Sequence, residues 1–227
     1  MKSIRLLGCA VVLHWLLAGV ALAATLPEGF VYLQDVAPAI LQDVRYFEDN
    51  NFVGARVDGY LAPTVILTRP AAEALARVQA QLETFGLGLQ VFDGYRPQRA
   101  VDHFQRWARD LSDVKTKETF YPEVPKEELF ERGYIAARSS HSRGSTVDVT
   151  IVDKESGFPL DMGSDFDYFG PMSWPTSMNV NEDQRARRML LQLVMVGQGF
   201  KPYDQEWWHF TLKDEPFPET YFDFPVE

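Results

Sequence analysis

Val147-Asp148-Val149-Thr150-Ile151-Val152 alternates with a period of two, and no other stretch restricts the fold so tightly. A strand turns successive side chains to opposite faces, so Val147, Val149 and Ile151 share one face while Asp148 and Thr150 share the other. The residues leading into it, Ser139 to Ser145, are small or polar apart from His141 and Arg143, and they include Gly144. The segment reads in two ways. It is a polar turn entering a strand, or it is part of a metal site in which His141 and Asp148, seven positions apart, are two ligands that need a third.

The flanking sequence supplies elements that pack with such a strand. Phe30-Val31-Tyr32-Leu33 reads as a short strand, and the spacing predicts a helix over 70–85 with Ala71, Leu75, Val78, Leu82 and Phe85 on its apolar stripe. Leu87 to Asp93 reads as a buried strand ending in Gly94-Tyr95-Arg96-Pro97, followed by a helix over 98–110 with Ala100, Phe104 and Trp107 inward. Residues 122–133 read as a loop with a short helix. Asn181 to Gly197 has the pattern of a helix capped by Asn181 or Asp183 and ended by Gly197-Gln198-Gly199. Trp207 to Leu212 is aromatic and β-like. With no repeat, low-complexity tract or long linker, the 227 residues predict one α+β domain, a mainly antiparallel sheet with packed helices and the candidate metal site at the sheet.

Residues 1–23 stand apart. Lys2 and Arg5 precede an apolar run from Leu6 to Val20, and Ala21-Leu22-Ala23 gives the small-x-small pattern of a cleaved signal peptide. A membrane anchor is the competing reading, but the run is short for a span and small residues close it, so no stable anchor is expected after cleavage. Cys9 lies before most of the apolar run, where a lipoprotein cysteine would follow it. Cleavage removes this single cysteine, leaving residues 24–227 without a disulfide, and removes two basic and no acidic residues, which takes the net charge from −10 to −12. So acidic a domain is a poor partner for nucleic acid or anionic lipid.

The other histidines of the mature chain are His103 and His209. His103 sits beside Asp102 on a predicted helix with no ligand in phase and reads as structural. His209 closes Glu206-Trp207-Trp208-His209. A catalytic zinc takes three protein ligands from His and Asp or Glu and keeps a fourth position for water, and His141, Asp148 and His209 supply such a set. Glu206 is then the carboxylate that takes a proton from the metal-bound water. Residues three apart in a regular strand face opposite sides, so this assignment requires a bulge or turn between Glu206 and His209. The bland alternative for Glu-x-x-His is a surface pair, and for Arg96 a turn residue before Pro97 that caps a nearby carbonyl.

The serine-rich SxHxxGxxxD stretch followed by ExWH resembles the zinc D-alanyl-D-alanine dipeptidases of the VanX type, within the LAS (M15) metallopeptidases. Further blocks in family order carry the likeness from about residue 30 to the end: Asp43 to Tyr46, Asp49 to Gly54, Val57 to Tyr60, Asp93 to Pro97, Asp161 to Asp167 and Tyr221 to Pro225. The resemblance implies that His141, Asp148 and His209 hold one Zn2+ per chain, that Glu206 is the general base, and that Arg96 stabilises the tetrahedral intermediate. It also implies that Tyr46 and Asp167 meet the substrate's free amino end and that Ser139 lies near its carboxylate end. One departure is Thr146, where the family often has Ala, which brings a hydroxyl beside the strand of Asp148.

The expected activity is zinc-dependent hydrolysis of D-alanyl-D-alanine, with that small molecule as the partner. Two rivals stand beside it: a D,D- or L,D-carboxypeptidase acting on peptidoglycan stem peptides, and a non-catalytic zinc-containing domain that binds cell wall. The signal segment places the expected enzyme outside the inner membrane, in the periplasm, where recovery of wall-derived D-alanine is the expected role. Nothing in the sequence speaks to oligomeric state.

Overall fold

The alternating segment becomes the middle strand of a five-stranded sheet in the computed structural model, which describes residues 26–227. The expected signal segment, with Cys9 and His14, lies outside the described residues. In chain order the elements are β1 (Phe30–Tyr32), α1 (Leu33–Val36), β2 (Leu41–Gln42), β3 (Ile66–Thr68), α2 (Arg69–Glu83), β4 (Leu87–Asp93), α3 (Gln98–Arg109), α4 (Lys117–Phe120), β5 (Thr146–Asp153), α5 (Glu182–Gly197), β6 (Phe200–Tyr203) and β7 (Glu206–Leu212). The main sheet runs β2-β4-β5-β7-β6, antiparallel at every pairing except β2 with β4, and β1 and β3 form a separate antiparallel pair. The helices α2 and α5 pack on one another and against the sheet, so the architecture is the expected α+β.

Local sequence accounts for most of this. Pro70 opens the first turn of α2, where its missing N–H has no helical partner to lose, and Ala71, Leu75, Val78 and Leu82 are fully buried. Phe85 departs from the expected stripe and is 75% exposed. The helix stops at Glu83, and a turn through Gly86, at φ +71°, swings Phe85 outward. Between the two candidate caps of α5, Asn181 takes the role: its side chain accepts from Gln184 N while the Gln184 side chain accepts from Asn181 N, a reciprocal capping box. Leu33, expected to close the first strand, begins α1.

On β5 the two faces are as the period of two requires, but both are covered: Val147, Val149 and Ile151 are fully buried, and Asp148 and Thr150 are nearly so. Two irregularities bring the polar row into line. Phe92 is an extra residue between the Val91–Val149 and Asp93–Asp148 pairs, and in β7 Trp207, Trp208 and His209 fall between the Pro202–Phe210 and Tyr203–Glu206 pairs. As a result Asp93, Asp148 and His209 sit opposite one another across three adjacent strands.

The turn into β5 depends on one glycine. Gly144 has φ +82°, and a Cβ there would run into the Phe30 ring, with Cζ only 2.7 Å away. Gly144→Ala is therefore expected to destabilise the fold by roughly 2–4 kcal/mol, from the left-handed backbone and the overpacked ring together. Calorimetric melting of the variant checks this, and an unchanged Tm would contradict it.

Candidate metal centre and its pocket

His141 rides on a short 3-10 turn, Ser140–Arg143, that Ser139 caps by accepting from His141 N at 3.3 Å and Gly144 terminates. The imidazole is 1% exposed, and Nδ1 donates to the Gly94 carbonyl at 2.8 Å. That contact sets the tautomer, leaving the Nε2 lone pair to face the pocket. Gly94 is itself packed closely on β3, since a Cβ there would stand 2.7 Å from Val65 Cγ1 and 2.8 Å from the Ile66 carbonyl.

Three donor atoms converge. His141 Nε2 is 3.3 Å from His209 Nδ1 and 3.3 Å from Asp148 Oδ2, and His209 Nδ1 is 3.2 Å from Asp148 Oδ1. Ligands at about 2.0–2.1 Å from a tetrahedral ion stand about 3.3 Å apart, so the spacing fits a small divalent cation. The chemistry fits too. Asp148 Oδ1 is buried and accepts no aligned hydrogen bond among the described residues, an arrangement that is costly unless a cation satisfies it.

The electrostatics favour positive charge at this point. Burial alone would raise the Asp148 carboxyl, but His141 and His209 override it and hold Asp148 well below the usual carboxylate range. Burial would lower His209, yet Asp148 and Glu206 lift it to about 9. Glu206 Oε2 lies 3.3 Å from His209 Nδ1, and the strand irregularity described above is what lets residues three apart meet. Ser140 Oγ stands 3.4 Å from His209 Nε2 on the far side of the ring.

Arg96 leaves the end of β4 and enters the same space. Its Nε donates to Asp93 Oδ2 at 2.9 Å, Nη2 is 3.5 Å from Asp148 Oδ2, and the guanidinium lies over the Tyr46 and Phe104 rings. Asp93 also accepts from Tyr60 OH at 2.6 Å, so this buried carboxylate fixes the arginine at one oxygen and is itself fixed at the other. Tyr46 OH donates to Asp167 Oδ2 at 2.9 Å. Asp167 is 5% exposed, and burial, then repulsion from Asp148, pushes its carboxyl well above the usual range.

Tyr46, Arg96, Ser139, His141, Asp148, Asp167, Glu206 and His209 all line one cavity of about 460 Å³. His103 does not; its Nδ1 accepts from Asp58 N at 3.1 Å, a structural contact. The hydroxyl of Thr146 pairs at 2.8 Å with Thr211 Oγ1, the residue directly opposite on β7, so the departure leaves no unpaired polar atom. Sequence reasoning passed over Asp93, Tyr60 and Ser140. An acid three residues before the singled-out arginine, at a strand's end, is the signal that points to Asp93.

The sequence matches the family described as D-ala-D-ala dipeptidase, peptidase M15, over residues 27–227. It is similar to a D-alanyl-D-alanine dipeptidase of Streptomyces coelicolor, 44% identical over 197 residues that cover 87% of this chain and 98% of the relative. A D-alanyl-D-alanine dipeptidase of Enterococcus faecalis is 41% identical over 88% of this chain and 98% of its own length, and one of Escherichia coli is 30% identical over 80% and 83%. A likeness that spans the whole sheet and every strand and turn of the pocket, in chains of nearly the same extent, has one meaning: this chain belongs to the D-Ala-D-Ala dipeptidase family of M15 metallopeptidases.

Proposed function

We propose that the protein is a zinc-dependent D,D-dipeptidase that hydrolyses D-alanyl-D-alanine to two molecules of D-alanine. The observation that carries this reading is the convergence, in one cavity, of the His141, Asp148 and His209 donor atoms with Glu206 and Arg96. Two imidazoles and a carboxylate at tetrahedral spacing suit zinc, one ion per chain. When bound, the ion supplies Lewis acidity at the scissile carbonyl and makes water a competent nucleophile near neutral pH.

The remaining work falls to the chain's own side chains. Glu206 accepts a proton from the water that adds to the carbonyl carbon, then delivers it to the amide nitrogen as the C–N bond breaks. Arg96, held through Nε by Asp93 and with Nη2 3.5 Å from Asp148 Oδ2, presents its guanidinium to the negative charge that grows on the carbonyl oxygen. Asp167 receives the substrate's ammonium, with Tyr46 steadying the carboxyl, and Ser139 receives the carboxylate end. Buried and outside any ion pair among the described residues, Asp167 is costly to ionise alone, and an ammonium relieves that cost. A blocked amine gives no such relief, which turns away peptides extended on the amino side.

The discriminating assay offers D-alanyl-D-alanine and an N-acylated stem peptide side by side to the zinc-loaded mature protein. The free dipeptide is expected to be cleaved far faster, with a chelator abolishing activity and zinc restoring it. Efficient cleavage of the blocked peptide would replace this reading with a carboxypeptidase. We further infer export to the periplasm and a role in recovering D-alanine from the wall. Fractionation of cells checks this, and retention of the protein in the cytoplasm would remove its basis.

A further inference from the structure

The Met162–Trp174 segment carries Asp167, and a single side chain on α5 fastens it at both ends. Arg188 is 3% exposed and takes part in no ion pair among the described residues. Its Nε donates to the Met162 carbonyl at 2.6 Å, Nη1 to the Met172 and Trp174 carbonyls at 2.9 and 3.0 Å, and Nη2 to Ser164 Oγ at 3.3 Å. The guanidinium also lies 5.8 Å from the Trp207 ring, next to Glu206, and Trp207 Nε1 donates to the same Ser164 hydroxyl at 2.9 Å. From Ser164 the hydroxyl of Ser173 is 3.1 Å away, and Ser173 in turn donates to the carbonyl of Tyr168, the neighbour of Asp167.

A buried guanidinium without a carboxylate is an expensive choice, and burial pulls Arg188 down to about 10. An apolar residue would fill the volume at less cost but could not gather three carbonyls into one plane. Asp167 supplies the reason for gathering them. It has φ +62° and is the one non-glycine residue with a positive φ among those described, a conformation that persists only where the surroundings over-determine it. It is also the carboxyl that, on the dipeptidase reading on which this inference rests, selects for a free amino terminus.

We propose that Arg188 is a positioning residue for substrate selection. By drawing both ends of the segment onto one planar group, it holds the Asp167 carboxyl at the place where a free ammonium meets it. The quantity that reports this is a ratio: kcat/KM for D-alanyl-D-alanine over kcat/KM for N-acetyl-D-alanyl-D-alanine. In Arg188→Met the ratio is expected to fall at least about tenfold, through loss of activity on the free dipeptide, with zinc content unchanged. Arg188→Lys keeps the charge but has no planar fork, and is expected to restore the ratio only in part. A purely structural arginine would lower Tm and leave the ratio alone, so a folded Arg188→Met protein with the wild-type ratio overturns the proposal.

Should neither variant fold, Ser164→Ala removes the hydroxyl shared by Arg188 and Trp207 and is expected to lower the ratio severalfold; an unchanged ratio there overturns the proposal equally. Calorimetric binding of the two peptides to zinc-free protein gives a second readout, with the preference for the free amine weakened in Arg188→Met. If the wild-type protein itself cleaves neither peptide, the dipeptidase reading fails, and this inference with it. A wild-type preference that survives in the variants sinks the inference alone.

Discussion

Glu206→Gln is expected to lower kcat on D-alanyl-D-alanine by about 10²–10⁴-fold while leaving KM and zinc content close to wild type. The amide has nearly the shape of the carboxylate and occupies the same half-buried place beside His209, so packing is preserved. It has no basic oxygen, however, and can neither take the proton from water nor hand it to the leaving nitrogen. On the proposed reading the three donor atoms come from His141, Asp148 and His209, so zinc binding is expected to survive without it. Steady-state kinetics alongside metal analysis tests this. Full activity with zinc bound would refute the mechanism, and loss of zinc with activity would reassign Glu206 as a ligand.

Arg96→Met is expected to lower kcat/KM by about 10²–10³-fold, the usual effect of losing one donor aimed at a developing oxyanion. The same substitution takes the guanidinium from Asp93, which is 1% exposed and keeps Tyr60 as a donor and His141 Nδ1 at 3.4 Å, so it also destabilises the fold by about 3–5 kcal/mol. The two effects separate by comparison with Arg96→Lys. Lysine restores positive charge in the pocket and part of the stability, but its ammonium cannot contact Asp93 and the substrate oxygen as one rigid plane. Most of the rate defect is therefore expected to remain. Recovery of the rate by lysine would mean that Arg96 acts through bulk charge and not through geometry.

The candidate His/Asp cluster and the sheet that bears it were legible because each leaves a local mark. The valine alternation on β5, the apolar spacing of α2 and α3 and the Asn181 cap are all patterns that depend on near neighbours. What escaped depends on partners far along the chain. Arg188 stands in phase with Leu191 and Met195 on the buried face of α5, but its residue type alone reads as a solvent-facing cation, and the carbonyls that accept from it lie on the returning Met162–Trp174 segment. The shifts of register at Phe92 and before His209 are likewise invisible until strands pair. Phe85 misled in the opposite sense, since its spacing extends a helix that the Gly86 turn has already ended. The requirement that Glu206 and His209 meet across a break in the strand could be stated in advance, but the break itself could not be located.

The alignment of Asp93, Asp148 and His209 across three neighbouring strands, set against the placement of Asp167 on a looped segment, divides the molecule into parts with unequal freedom to change. Any insertion that slips one of those strands by a residue turns one of these three side chains away from the others, so the candidate centre tolerates little variation in the sheet. The segment from Met162 to Trp174 is fastened by side chains, to Trp207 on β7 and to Arg188 on α5, and contains none of the three donor residues. A lineage could thus acquire a taste for longer or differently ended peptides by revising one loop and its arginine, while the hydrolytic centre passed unchanged from parent to descendant.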